Sequence, residues 1–238
     1  MIVRRVSGGV ELTTQPDHAQ LAGTIMDHCV PLRSHPRRGA ILHAIAEHDN
    51  GWAEEDAAPT VDPTTGNVAD FITVALSVRH AVWPRGIARL ADDSWAAALV
   101  AQHALTVYDR FRGDGAWRSF FAGMEEARDG LLRASGRSFD DLAADYPFLR
   151  LGDLISLAFC TGSTDEQSFG EWNVRLSGTR VAVTPDPFGG ATIPVAISAR
   201  MIHQQSFDSD TVLRDALRHA SSTILRGEVA GSSLERPA

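Results

Sequence analysis

Apolar residues recur with a helical period through the middle of the chain and alternate with polar residues near its two ends. A recurrence at i, i+4, i+7 and i+11 places side chains on one face of a helix, whereas strict alternation places them on one face of a strand. The helical pattern covers six segments, at about 15–29, 36–48, 72–91, 93–111, 117–134 and 147–160. Thr14, and Asp92 or Asp93, are expected to cap the first and fourth of them. Pro84 predicts a kink or a break in the third, because proline removes a helical hydrogen bond.

The alternating pattern predicts strands at both ends of the chain. A hairpin is expected at 2–14, around the turn Ser7-Gly8-Gly9, and further strands at 173–176, 180–184 and 192–201. The segment 210–225 has a helical pattern, and the last dozen residues are expected to be frayed. These elements predict one domain over 1–238, of class α+β. Its mostly helical core would cover about 15–160, and the terminal strands 2–14 and 173–201 would form a small antiparallel sheet.

Composition excludes several classes of protein. The 238 residues carry a formal net charge of −8, which disfavours nucleic-acid binding because counterion release requires a basic surface. The chain has no lysine, which excludes a Schiff-base or P-loop lysine mechanism. No apolar run reaches the roughly 20 residues that span a bilayer, and no secretory signal pattern opens the chain. We therefore expect a cytoplasmic protein with a small-molecule substrate and no nucleic-acid or membrane partner; its oligomeric state stays open.

A His-Asp pair, His48-Asp49, ends the second predicted helix. Adjacent residues at the end of an apolar helix can direct an imidazole nitrogen and a carboxylate oxygen to one point. This donor pair suits a divalent metal of intermediate hardness, such as Fe, Mn or Zn. The dipeptide alone is weak evidence, because it arises often by chance.

Four more polar residues lie on the apolar faces of other predicted helices, and they strengthen the metal hypothesis. A single histidine on such a face is more often a core residue than a ligand. A buried carboxylate, however, costs several kcal/mol unless a metal, an arginine or a helix cap accepts it. Arg150 is the alternative partner for Asp153, three residues away on the same helix. The candidate metal ligands are His18, His48, Asp49, His80, His103 and Asp153.

The order His, His-Asp, His, His, Asp along successive helices resembles the HD superfamily of metal-dependent phosphohydrolases. That resemblance implies an HD-like helical core and a site of one or two metal ions, with Asp49 as the bridging ligand of a pair. A closer resemblance, covering most of the chain, is to a bacterial family called domain of unknown function 3891. It implies the fold but no activity. The segments that carry it are 15–19, 48–52, 66–71 and 153–157.

Further residues are candidates for contacts with the substrate. Asp49 is a candidate catalytic residue. Glu55 or Asp56, which follow the His-Asp motif, is a candidate general base, although a solvated acidic face is the simpler interpretation. Trp52 is a candidate wall of the site, unless it only packs. Arg37 and Arg38 begin the second helix and are candidates to bind a phosphate or carboxylate, unless they are surface charges.

Three functions are compatible with these residues. The first is a metal-dependent hydrolase of a small phosphorylated metabolite, in which the metal activates water and polarises the phosphoryl oxygen. The second is an HD-type diiron oxygenase, which uses the same ligand types. The third is a non-enzymatic binding or regulatory protein whose buried histidines are structural. Metal analysis separates the third from the other two.

Overall fold

Most of the helices lie between residues 15 and 161 of the computed structural model, which describes residues 1–232. None of the described helices combines the length and the apolar character needed to cross a bilayer. The helices are α1 (Gln15–Met26), α2 (Arg38–Glu47), α3 (Ala53–Ala57), α4 (Leu76–Ala88), α5 (Ser94–Val107), α6 (Arg118–Ser135), α7 (Phe139–Thr161) and α8 (Asp210–His219).

Local capping chemistry sets several helix starts. Thr14 accepts a hydrogen bond from the backbone of Asp17 at 3.1 Å and begins α1, and Asp93 begins α5 in the same way, so both predicted caps are confirmed. Helix α7 begins at Phe139 rather than near residue 147, because Ser138 forms a capping box with Asp141. Of the kink or break predicted at Pro84, the break does not occur, since α4 continues through this residue.

The strands form one seven-stranded sheet in the order β1-β2-β6-β7-β5-β4-β3. Neighbours pair antiparallel except β5 and β7, which pair in parallel. The strands are β1 (Ile2–Val6), β2 (Gly9–Thr13), β3 (Gln167–Phe169), β4 (Trp172–Ser177), β5 (Arg180–Thr184), β6 (Thr192–Ile202) and β7 (Ser221–Gly231).

The chain is α+β, but the prediction of a small antiparallel sheet is wrong. The sheet is large and mixed because residues 221–231 form a strand where the helical pattern was expected to continue to 225. Strand β7 pairs along β6 from Ser221 opposite Met201 to Ala230 opposite Thr192. It also pairs in parallel with β5, and so joins strands β1, β2 and β6 to strands β5, β4 and β3 in one sheet. The part of the predicted frayed end beyond 232 lies outside the described residues.

Close packing of α7 against α1 and α2 determines where the polar core residues meet. A Cβ added to Gly152 would lie 2.9 Å from Met26 Cγ and 3.1 Å from Ile45 Cγ2. A larger side chain would push α7 away from both helices, because protein interiors have no spare volume at such contacts. Gly152 therefore allows the next residue, Asp153, to approach the polar side chains of α1 and α2.

Candidate metal centre

Five of the predicted ligands converge in the core between α1, α2, α5 and α7. Each of them is buried, with a relative exposure between 0% and 8%. The five are His18 of α1, His48 and Asp49 directly after α2, His103 of α5, and Asp153 of α7.

Their ligand atoms form two groups that share His48. In the first group, His18 Nε2 lies 3.2 Å from His48 Nε2 and 3.1 Å from Asp49 Oδ2. In the second, Asp153 Oδ1 lies 3.5 Å from His48 Nε2, and Asp153 Oδ2 lies 3.5 Å from His103 Nε2. Within each group, the donor atoms lie within 4.8 Å of one another. Asp49 belongs to the first group only, and His48 is the residue common to both.

Hydrogen bonds on the far side of each imidazole orient the ring. The Nδ1 atom of His48 lies 2.7 Å from the carbonyl oxygen of Ile45, which can only accept, so this nitrogen carries the proton. The Nδ1 atom of His18 lies 2.8 Å from the hydroxyl of Ser156. That hydroxyl lies 3.0 Å from the carbonyl oxygen of Gly152 and can donate to it. With Nδ1 of each ring engaged in this way, the two Nε2 atoms point to each other and to the carboxylates, as the ligands of a cation do.

His103 is held in a similar way, by Tyr146 of α7. Its Nδ1 atom lies 3.1 Å from the Tyr146 hydroxyl. Burial lowers the pKa of His103 to about 3, so the ring is neutral. In the tautomer whose Nδ1 donates to the Tyr146 hydroxyl, the neutral ring keeps its Nε2 lone pair for a metal.

The charges in the cluster favour a cation. Burial opposes ionisation of Asp49 and Asp153, yet the neighbouring imidazoles hold the pKa of both carboxyls below its usual range. Burial also opposes protonation of His48, but the two carboxylates outweigh it and raise the pKa of His48 to about 9. The cluster therefore stabilises positive charge beside His48 Nε2. Three imidazole nitrogens and two carboxylates are a donor set that fits Fe, Mn or Zn.

Arg150 contacts the same carboxylate that the metal hypothesis uses. Its Nη1 donates to Asp153 Oδ2 at 2.5 Å, while Asp153 Oδ1 points towards His48. The alternative partner considered for Asp153 is therefore present, but it occupies one oxygen and leaves the other within the cluster.

His80 is not brought to the cluster. Its ring stacks on Phe120 with a centroid distance of 5.1 Å and lies edge-on to Trp117 at 4.7 Å. The face of α4 that meets the core is instead that of Arg79 and Trp83, which are one helical turn apart and both line the cavity described below. Adjacent helical residues differ by about 100° in direction, so His80 turns towards α6.

Arg37 and Arg38 are both engaged in ion pairs within the fold. The guanidinium of Arg37 donates to both oxygens of the buried Asp145, at 2.6 Å from Nε and 2.8 Å from Nη2. Arg38 pairs with Asp27 at the surface. Neither arginine lines the cavity that contains the metal ligands. The geometry therefore gives them structural contacts and does not support the predicted binding to substrate.

Trp52 and Glu55 follow the His-Asp motif but face different surroundings. Trp52 is buried and lines the cavity beside Asp49. A Cβ on Gly51 would lie 2.0 Å from the carbonyl oxygen of Val82, so glycine is required for this turn to pack on α4. Glu55 lies within 3.2 Å of Arg85 and does not line the cavity, so the geometry does not support it as the general base.

The ligand cluster opens onto a cavity of about 350 Å³. Asp49, His103 and Asp153 contribute to its wall. The rest of the wall includes Asp165 and several apolar side chains, and it also contains three arginines and four aromatic residues. These residues are Arg79, Arg110, Arg150, Trp52, Phe71, Trp83 and Tyr108. The wall therefore combines residues of the His/Asp cluster with arginines and aromatic rings.

Sequence reasoning missed several residues of this site. Tyr146 shares the face of Leu149 and Asp153 on α7, but a helix thought to begin at 147 excludes it. Arg79 directly precedes His80. An arginine beside a candidate ligand on an apolar helix indicates a site that supplies a partner, because a buried arginine requires one. Ser156, three residues after Asp153 on α7, was missed as the partner of His18.

Replacing Ser156 by alanine is expected to weaken metal binding by roughly 10- to 100-fold, because the His18 ring loses the contact that orients it. Competition with a chromophoric chelator measures the affinity. Thr24→Ala is the matched control, since Thr24 also bonds to a carbonyl four residues earlier, at 3.0 Å, but is exposed on α1. Equal metal affinities in the two variants would contradict the orienting role.

The family described as "Protein of unknown function (DUF3891)" matches residues 1–204. The chain therefore belongs to this family. No curated protein and no solved structure matches the chain significantly.

Proposed function

We propose that this protein is a metal-dependent hydrolase of a small phosphorylated metabolite. The observation that carries the proposal is the chemistry of the cavity wall beside the buried ligands. The Nε atom of Arg150 and the Nε1 atom of Trp83 are buried without a hydrogen-bond partner, and both residues line the cavity. These atoms are donors, and a phosphate ester supplies the acceptor oxygens that they lack. Gln15 adds one unpartnered acceptor, which suits a hydroxyl or a water molecule.

His18, His48, Asp49, His103 and Asp153 would hold the metal. One imidazole nitrogen coordinates one ion, and both ligand groups use the same nitrogen of His48. We therefore propose one Fe, Mn or Zn ion per chain rather than a pair. Such an ion supplies a Lewis acid that polarises a phosphoryl oxygen and lowers the pKa of a water.

The protein's own residues would do the remaining work. Arg150 lies beside Asp153 and would neutralise a phosphoryl oxygen, since a guanidinium binds such oxygens through paired donors. Asp49 lines the cavity, and its carboxylate would accept a proton from the attacking water. Trp52 and Trp83 would exclude other water molecules from the reacting group.

The direct test is release of phosphate from generic phosphate esters by untagged protein loaded with Mn or Fe. We expect slow turnover that a chelator abolishes and added metal restores. Elemental analysis of the same sample should give close to one ion per chain. Well under one equivalent after reconstitution would favour structural histidines. A stoichiometric, oxygen-sensitive iron signal without phosphate release from any ester would favour an oxygenase.

A further inference from the structure

Two arginines of the cavity wall flank a pair of stacked aromatic rings. The Cζ atom of Arg110 lies 4.7 Å from the ring centroid of Phe111, and that of Arg79 lies 5.9 Å from the same centroid. Phe111 and Trp117 are stacked with their planes 1° apart, and Arg79 lies 5.4 Å from Trp117. Contacts between a guanidinium and ring faces restrict the side chain without neutralising its charge. We call Arg79, Arg110, Phe111 and Trp117 the arginine shelf.

The charge of this shelf is not balanced within residues 1–232. Neither Arg79 nor Arg110 has a described carboxylate within 4.0 Å, whereas the nearby Arg85 pairs with Glu54 and Glu55. Arg112, two residues after Arg110, pairs with Asp109 and Glu125.

An unpartnered donor atom of Arg79 is a second indication of a missing ligand. The Nε atom of Arg79 is buried without a hydrogen-bond partner, although Arg79 itself lines the cavity. Leaving a buried donor unpaired costs about 1–3 kcal/mol, and more for a charged group. An acceptor that enters the cavity would remove this cost.

Contacts between aromatic rings connect the shelf to the predicted metal ligands. Trp83 contacts His103, with a centroid distance of 5.7 Å, and it contacts Tyr108 at 6.0 Å. Tyr108 in turn contacts Phe111 at 6.3 Å and Trp117 at 4.6 Å. Two aromatic rings therefore link His103 to the shelf, and the shelf offers a separate position for a second acidic group.

We infer that the substrate carries two acidic groups: a phosphate ester beside the metal ligands and a second phosphate or carboxylate bound by Arg79 and Arg110. The inference rests on the proposed function, because it places the ester at the metal ligands. The connecting part of the substrate would lie against Trp83 and Tyr108, so it can be apolar or planar.

The test is calorimetric binding of non-hydrolysable probes to the metal-loaded protein. The probes are alkane bisphosphonates with two to six methylene groups, the monophosphonates of equal length, and the corresponding phosphonocarboxylates. We expect at least one bisphosphonate or phosphonocarboxylate to bind about 10-fold more tightly than its monophosphonate, which corresponds to about 1.4 kcal/mol. The better of the two series identifies the second group.

Arg79→Gln should remove this advantage and leave monophosphonate binding unchanged. Arg133→Gln is the control for net charge, because Arg133 is exposed on α6 and outside the cavity. If Arg79→Gln does not fold, Arg110→Gln tests the same shelf from an exposed position.

The outcomes separate the two proposals. If no phosphonate binds the metal-loaded protein, the proposed function itself fails. If monophosphonates bind but no second acidic group improves the affinity, the second subsite is wrong and the proposed function stands. The same conclusion follows if the advantage persists in both Arg79→Gln and Arg110→Gln.

Discussion

Replacing His48 by alanine is expected to remove the metal ion and to lower phosphate-ester turnover by on the order of 10³-fold. His48 is the residue that both ligand groups share, so its loss leaves neither group complete. The expected factor follows from several kcal/mol of transition-state stabilisation by a metal, at about 1.4 kcal/mol for each tenfold change in rate. Asp49→Ala should have a similar effect, because it removes a ligand and the proposed proton acceptor together.

Metal content by elemental analysis and turnover under saturating Mn measure the two parts of this effect. The control is His80→Phe, which removes a histidine that stacks on Phe120 but does not belong to either ligand group. It should retain both metal and activity. Full metal content in His48→Ala, or a loss in His80→Phe as large as that in His48→Ala, would show that the cluster is not the metal site.

Replacing Arg37 by alanine is expected to lower the free energy of unfolding by about 3 kcal/mol, because it leaves a buried carboxylate without its main partner. The side chain of Asp145 is completely buried and accepts hydrogen bonds from Arg37 and, at 3.0 Å, from Trp95 Nε1. The pKa of Arg37 is raised by its hydrogen bond to Asp145, which agrees with a tight pair. Metal content should not change.

Denaturant unfolding measures this difference, and the neighbouring Arg38 supplies the control. Arg38 pairs with Asp27 at the surface, with side-chain exposures of 35% and 58%. Exposed pairs of this kind contribute about 0–1 kcal/mol, so Arg38→Ala should be close to neutral. An Arg37→Ala variant with unchanged stability but a raised KM for a phosphate ester would restore the interpretation of Arg37 as a substrate contact.

Features that depend on a few neighbouring residues could be predicted from the sequence. Thr14 and Asp93 cap helices because their side chains reach backbone groups three residues away. The apolar period identified the helices that carry His18, His103 and Asp153. Because each of these side chains lies on the inward face of its helix, packing the helices was enough to bring them together with His48 and Asp49.

Small errors in local geometry changed the membership of the site. Adjacent helical residues point about 100° apart, so Arg79 lines the cavity and the predicted metal ligand His80 does not. The capping box at Ser138 extended α7 towards its N-terminus and added Tyr146 to the histidine contacts. In both cases the hydrophobic periodicity alone fits two neighbouring possibilities: Arg79 or His80 facing the core, and an earlier or a later start of α7.

Only the tertiary structure decided the features that join distant parts of the chain. Strand β7 forms because β5 and β6 offer edges with unpaired backbone groups, and this pairing outweighs the helical pattern of residues 221–225. Arg37 meets Asp145 across 108 positions of sequence, so its structural role was not visible beside Arg38. Periodicity and capping act over one or two turns, whereas sheet edges and buried ion pairs are completed by segments whose positions depend on the whole fold.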